Sequence, residues 1–234
     1  VDFRQRLLAT LRALRPVYGE GVMIIGSEVP NLLQPETTVP VIVSKDVDIG
    51  VEISAHTRVK AAVASLSGLR PSADEPSVLV SDGGLLEVNF VGIDRELADL
   101  TESYVFEDPE LPLLVFGTLS LLKPGPSIDL GGWSARLPEL PGLLVEKLLT
   151  ERSQVKGERD MLVALALLVA ASPRELDEAR RLCASLDPPD RHQVRANLAV
   201  LALLPPMPEM PDPGPHRALV SRFLAALEEG SDDI

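Results

Sequence analysis

The stretch SKDVDIGVEI, Ser44 to Ile53, decides how this chain is read. Extended backbone sends successive side chains to opposite faces, so Asp46, Asp48 and Gly50 share one face while Val47, Ile49 and Val51 share the other. The apolar set suits a core. The two carboxylates then lie side by side, and their repulsion has to be relieved by a cation or by uptake of a proton. A divalent metal ion is one such cation, and the flanking sequence bears on whether it is the right one.

Upstream, the apolar run Val22 to Ile25 gives way to Gly26-Ser27 and a short helix. Backbone amides and a hydroxyl at the positive end of a helix suit a phosphate, and glycine lets that phosphate approach the backbone closely. The same junction also serves as a plain turn. Downstream, SVLVSD and LLEVNFVG are joined by Asp82-Gly83-Gly84, a hairpin signal. Glu87 falls inside the second run, with Leu86 and Val88 pointing the opposite way. Three carboxylates from two adjacent strands beside a phosphate-binding turn make the oxygen cage that a pair of magnesium ions needs. The competing reading is an Asp-x-Asp that keeps an exposed sheet edge soluble.

Composition bounds these readings. At 234 residues, 45% hydrophobic and 24% charged, the chain is long enough for one generous domain or two small ones. A net charge of −13 argues against an extended surface for nucleic acid, although a local basic pocket is compatible with an acidic protein. The single cysteine, Cys183, excludes an internal disulfide and a cysteine-rich zinc site, and fits a reducing, cytoplasmic location. Its apolar neighbours predict a buried, inert thiol. The opening VDFRQRLLATLRALRP is amphipathic and arginine-rich, which reads as a surface helix and not as a secretory signal. The apolar run from Met161 ends at Pro173, short of the roughly 20 residues that a membrane span needs, and predicts a buried helix.

Two regimes divide the chain. Residues 1–137 mix helices and strands: a helix to Arg15, the strands already noted, and a helix from about His56 to Leu66 with Ser54 as its N-cap. Residues 112 to 136 read as a small strand-and-turn appendage with Trp133 as its core. Residues 138–234 turn helical, with helices near 141 to 153, 157 to 171, 173 to 185, 188 to 203 and 217 to 229. The proline-dense segment Leu204 to His216 reads as a stiff connector. His56, His192 and His216 lack ligand spacing, which favours surface or capping roles.

The order strand-Gly-Ser-helix, Asp-x-Asp at a strand start and an acid in a later strand resembles the nucleotidyltransferase superfamily that includes DNA polymerase β. The string Ser-Lys-Asp-Val-Asp-Ile is similar to the Thr-Lys-Asp-Ile-Asp-Leu version of its bacterial branch, which is similar to toxins of the abortive-infection type. In LLVEKLLTERSQVKGERDMLVALALL, Lys147, Arg152, Lys156, Arg159 and Asp160 stand where that branch carries a lysine, spaced basic residues and a basic-acidic pair. The likeness covers about residues 20 to 170.

The resemblance implies an α/β (α+β) fold: a nucleotidyltransferase-like mixed sheet with flanking helices as a catalytic domain over 1–137, followed by a helical domain over 138–234. It implies metal-dependent transfer of a nucleotide from a nucleoside triphosphate, ATP among them, to a hydroxyl of an acceptor such as RNA or protein. Gly26, Ser27 and Lys147 would hold the phosphates, and Asp46, Asp48 and Glu87 would be catalytic and carry two Mg2+ ions, with Glu87 polarising the acceptor hydroxyl. The alternative is a degenerate member that binds nucleotide or a partner protein without turnover. Lys147 has its own bland reading, a helix-surface cation paired with Glu146. The chain also departs from the pattern. Eighteen residues separate Ser27 from Asp46, read as an inserted loop around Gln34 to Thr38. Glu28 places a negative charge directly after the Gly-Ser, and Glu87 is a methylene longer than the usual aspartate.

Overall fold

A computed structural model describes residues 3–33, 43–149, 155–206 and 212–229. The chain divides into two compact units, Val1–Val29 with Val43–Pro138, and Pro30–Ile42 with Glu139–Ile234.

The first unit is built on β2 (Asp46–Glu52) and β5 (Glu87–Ile93), paired in parallel along their whole length with Asp46 opposite Glu87 and Glu52 opposite Ile93. Val47, Ile49 and Val51 have no exposed surface, as the alternation requires. β1 (Val22–Ile25) runs antiparallel on the other edge of β2. The far edge of β5 is shared. Its first half pairs with the hairpin partner β4 (Val78–Val80), which carries the two-residue β3 (Arg70–Pro71), and its second half pairs in parallel with β7 (Leu113–Phe116), which takes β6 (Ser103–Phe106) antiparallel. The result is a mixed seven-stranded sheet among the described residues. The 82–84 turn forms the expected hairpin. Leu113–Phe116 belongs to the main sheet and not to an appendage, because its alternate residues Leu113 and Val115 supply core side chains. What remains of the appendage is the ribbon β8 (Pro124–Asp129) with β9 (Ser134–Pro138), which lies against β1. Trp133, at its tip, stacks on Tyr18 with ring centroids 5.1 Å apart.

Two helices complete this unit. α1 (Phe3–Ala13) buries Leu7, Thr10 and Leu11. α3 (His56–Val63) is entered through a 3₁₀ turn at Ile53–Ala55, and Ser54 makes no cap hydrogen bond there, so the expected Ser54 N-cap is absent. His56 is buried, with Nε2 2.8 Å from the Leu111 carbonyl and its ring tilted against Phe106. It is a core histidine, contrary to the surface role read from spacing alone.

The second unit takes in the short α2 (Val29–Leu33) from Pro30 onward, together with α4 (Leu140–Leu149), α5 (Val155–Ala170), α6 (Pro173–Ser185), α7 (Pro188–Leu203) and α8 (Arg217–Glu229). Every residue of α4 is buried, and it packs on α5, α6 and α7. α5 is buried continuously from Met161 to Leu168, the pattern of a helix apolar on all sides. α6 starts on a reciprocal capping box between Ser172 and Glu175, and α7 on Asp187 accepting from the Asp190 amide at 2.9 Å. Cys183 is buried, and burial pushes its thiol up to about 12, consistent with an inert residue. Among the described residues, no helix is long and apolar enough to cross a membrane. A mixed sheet with helices followed by a helical region is the architecture expected from the sequence. The loop around Gln34 to Thr38 lies outside the described residues.

One buried hydroxyl ties α1 to the start of β5. Thr10 Oγ1 accepts from the Leu86 amide at 2.9 Å and donates to the Arg6 carbonyl at 2.9 Å. Thr10→Val keeps the shape and strands a buried N–H, a loss of about 1–3 kcal/mol by chemical denaturation, while Thr10→Ser loses clearly less. Equal losses in the two variants would assign the effect to the methyl group instead.

Candidate functional site

The end of β1 and the start of β2 are brought together by their antiparallel register, which sets Ile25 opposite Asp48. Ile25 is fully extended, and Gly26 then turns at φ +86 into a 3₁₀ turn, Gly26–Glu28. That backbone conformation favours glycine. Space demands it as well, because a Cβ at this position would stand 2.3 Å from Asp48 Oδ2. The glycine turn therefore abuts the Asp48 carboxylate directly. Ser27 Oγ donates to Glu28 Oε1 at 3.3 Å, and Glu28 is only 1% exposed. Its charge is thus turned into the protein and not presented at the mouth of the turn. α2 has five residues, too few for a strong axial dipole, so any phosphate held here would rest on the Gly26 and Ser27 backbone.

On β2, Asp46 and Asp48 are half-buried on one face. Opposite Asp48 in the parallel register stands Asn89. Its Nδ2 donates to Asp46 Oδ2 at 3.1 Å and to Asp48 Oδ1 at 3.1 Å. An amide nitrogen carries two hydrogens, and each goes to one carboxylate. The buried Ser44 donates to the other oxygen of Asp46, Oδ1. The sequence argument required a cation or a proton between the aspartates. The structure adds a third form of relief, a neutral donor bridging the pair.

Of the residues singled out from sequence, Gly26, Ser27, Asp46 and Asp48 lie together. Glu87 is in register with Asp46, and strand alternation puts it on the same face, but it is exposed at the strand end. Lys147 lies on α4 in the helical unit, ion-paired with Glu146 at 2.9 Å but buried, which contradicts its reading as a helix-surface cation. Arg152 and the side chains of Lys156 and Arg159 are outside the described residues. Asn89 was missed. The signal was present in LEVNFV, where a second polar residue two positions after Glu87 returns to the same face of a buried strand, but a search for carboxylates passes over an amide.

Among the described residues, no group of three or more His, Cys, Asp or Glu side chains is placed to hold a metal ion. The chemistry of the donors still fits a hard cation. Two carboxylates and an amide are all-oxygen ligands of the kind magnesium takes, and the Asn89 N–H groups already address oxygens that a cation would engage. Turning that amide over would present its carbonyl oxygen in place of its nitrogen.

No protein-family model and no curated protein matches the chain. It is structurally similar, at low identity, to solved nucleotidyltransferase-like proteins. The solution structure of the antibiotic-resistance factor ANT(2'')-Ia aligns over 100% of both chains at 12% identity and a TM-score of 0.39. The crystal structure of JHP933 from Helicobacter pylori aligns over 99% of this chain and 94% of that one at 13% identity and a TM-score of 0.42. An antigenic nucleotidyltransferase-like protein from Paracoccidioides brasiliensis aligns over 88% and 84% at 15% identity and a TM-score of 0.43. Likenesses this loose carry no argument about activity, which rests on the residues themselves.

The contact between the glycine turn and Asp48 is testable by a double-mutant cycle. Gly26→Ala should destabilise by on the order of 1–2 kcal/mol from the left-handed backbone alone, with the collision against Asp48 added. In an Asp48→Ala background the collision with the carboxylate disappears and only the 3.1 Å approach to the Cβ of residue 48 remains, giving a coupling of about 1 kcal/mol in denaturant unfolding. Additive losses would mean that the turn and the carboxylate do not touch.

Proposed function

We propose that this protein is a metal-dependent nucleotidyltransferase whose site is the Gly26-Ser27 turn together with Asp46, Asp48 and Asn89. The observation that carries the reading is the apposition of the glycine turn to Asp48, with both aspartates held by one amide. Such an arrangement sets a backbone opening for phosphate beside paired oxygen ligands for a cation.

In this reading the Gly26 and Ser27 backbone positions the β and γ phosphates of a nucleoside triphosphate. Asp46 and Asp48 would hold Mg2+, which when bound neutralises phosphate charge and stabilises the departing pyrophosphate. Two carboxylates balance one divalent ion, so one ion suits the described residues better than the two expected from the resemblance. The acceptor's hydroxyl oxygen bonds to the α phosphorus, the α–β bridging P–O bond breaks, and pyrophosphate leaves with its electron pair. Glu87, exposed on the same face, would take the hydroxyl proton. Lys147 enters by the resemblance alone, as a phosphate-holding cation. The likeness to abortive-infection toxins belongs to this proposal too, as do the acceptor and a cytoplasmic setting.

A second reading, nucleotide binding without turnover, is favoured by Asn89. A neutral amide stands between the aspartates, and the third carboxylate, Glu87, is open to solvent at the end of β5. That arrangement suits binding more than the charge stabilisation that transfer needs.

Both readings predict that a nucleoside triphosphate with magnesium raises the melting temperature by mass action, and that Asp48→Asn removes the shift. Transfer of a labelled nucleotide to a crude RNA or protein acceptor pool then separates them. Turnover that Asp48→Asn lowers by about two orders of magnitude or more supports the enzyme, and a shift without turnover supports the binder. No shift with any of the four triphosphates would overturn both.

A further inference from the structure

The sheet of the first unit ends on an unpaired edge. β6 pairs with β7 alone, from Ser103 opposite Phe116 to Phe106 opposite Leu113, in a register without a bulge. Every second residue of such an edge turns its N–H and C=O outward. Among the described residues, the backbone of Ser103–Phe106 makes no hydrogen bond beyond its ladder with β7. Edge strands are commonly blunted by a charge, a proline or a bulge within the strand, and the four residues SYVF contain none of these.

The face beside that edge is apolar. Val105 stands opposite Leu114, and Phe116 follows two residues along β7, so strand alternation sets all three on one side of the sheet. They are 54%, 41% and 41% exposed, whereas Leu113 and Val115 on the reverse side have no exposed surface. Cross-strand neighbours of this kind make one contiguous apolar surface, unlike single apolar side chains scattered over a protein. Ser103, opposite Phe116, is small and exposed, which leaves the aromatic ring open toward the edge.

Charge decides what fits there. Glu102 and Glu107, both exposed, flank β6 at its two ends, and neither has an ion-pair partner among the described residues. A second copy of this chain is the wrong occupant. Antiparallel pairing of β6 with its own copy through all four residues sets each Glu102 opposite a Glu107, and like charges directly opposite destabilise a sheet. A segment with a lysine or arginine at each end meets both carboxylates instead.

We infer that β6 and the face formed by Val105, Leu114 and Phe116 are a docking surface for an extended, basic-ended segment of a partner protein, which adds to the sheet as a strand beside β6. Main-chain hydrogen bonds to the edge supply affinity, and alternate apolar side chains of the segment, lying beside Val105 and Phe116, supply specificity. Its two basic residues are separated by four others, as Glu102 and Glu107 are. The surface lies wholly within the first unit and requires neither nucleotide nor metal, so its test is independent of the proposed transferase.

The experiment uses the full chain and an end-blocked peptide, Lys-Val-Thr-Val-Thr-Lys, whose central residues match the length of β6. Saturable binding by isothermal titration is expected, weakening as salt is raised. It should fall at least tenfold with glutamates in place of the lysines, and disappear when the central amides are N-methylated. Hydrogen exchange should slow at amides within Ser103–Phe106 when the peptide is bound. Glu102→Lys with Glu107→Lys, both at exposed positions, should hold the melting temperature within a few degrees and reverse the preference toward the glutamate-ended peptide. No saturable binding at millimolar concentration, equal affinity for the N-methylated peptide, or protection confined to other amides overturns the proposal. A preference that charge reversal leaves unchanged overturns the part assigned to Glu102 and Glu107. A dimer in light scattering, with the β6 amides already protected in the free protein, gives the edge to a second copy and overturns the proposal as well.

Discussion

One planar amide joins the two carboxylates at the start of β2. Asp46 and Asp48 stand two residues apart on one face of β2, and Asn89 gives one N–H to each. Like charges so placed repel, and a lone partner such as Ser44, which serves Asp46 alone, does not join them. The bridge depends on the parallel register of β2 with β5, because only with Asp48 opposite Asn89 does the amide fall between both carboxylates. A slip of one residue would send Asn89 to the other face and bring Phe90 or Val88 beside the charges. The hairpin with β4, the Thr10 bond to Leu86 and the β7 pairing all act on β5, and so act on that register.

The glycine turn depends on the same constraint from the other side. β1 is in register with β2 such that its last residue meets Asp48, and the following backbone has to pass the carboxylate within a distance that no side chain permits. The resulting group of backbone, two acids and one amide occupies a single end of the central strands. It offers oxygen ligands beside a backbone suited to phosphate, and this proximity underlies the proposed nucleotide chemistry.

Much of the sheet was legible because period-two alternation is simple to read where one face is fully apolar. The strand from Asp46, the hairpin at Asp82-Gly83-Gly84 and the later helices follow from local signals. What local signals do not contain is partnership. Leu113–Phe116 reads as one more short apolar run until its pairing with β5 is known, and His56 reads as a surface histidine until Phe106 and Leu111 cover it. At the site, the acids and the Gly-Ser were visible by type and spacing. Asn89 was not, since its role arises from a register between strands about forty residues apart and from donating two hydrogen bonds at once.

The amide bridge from Asn89 holds Asp46 and Asp48 together through one N–H to each. Asn89→Asp tests it most directly, with thermal unfolding measured in EDTA and across a magnesium titration, alongside calorimetric magnesium binding. The account predicts a lower melting temperature than wild type in EDTA, recovery to or above wild type in millimolar magnesium, and tighter magnesium binding, because three carboxylates repel without a cation and ligate with one. An Asn89→Asp variant as stable as wild type in EDTA and indifferent to magnesium would contradict it, and would reduce the paired aspartates to a polar patch on a sheet.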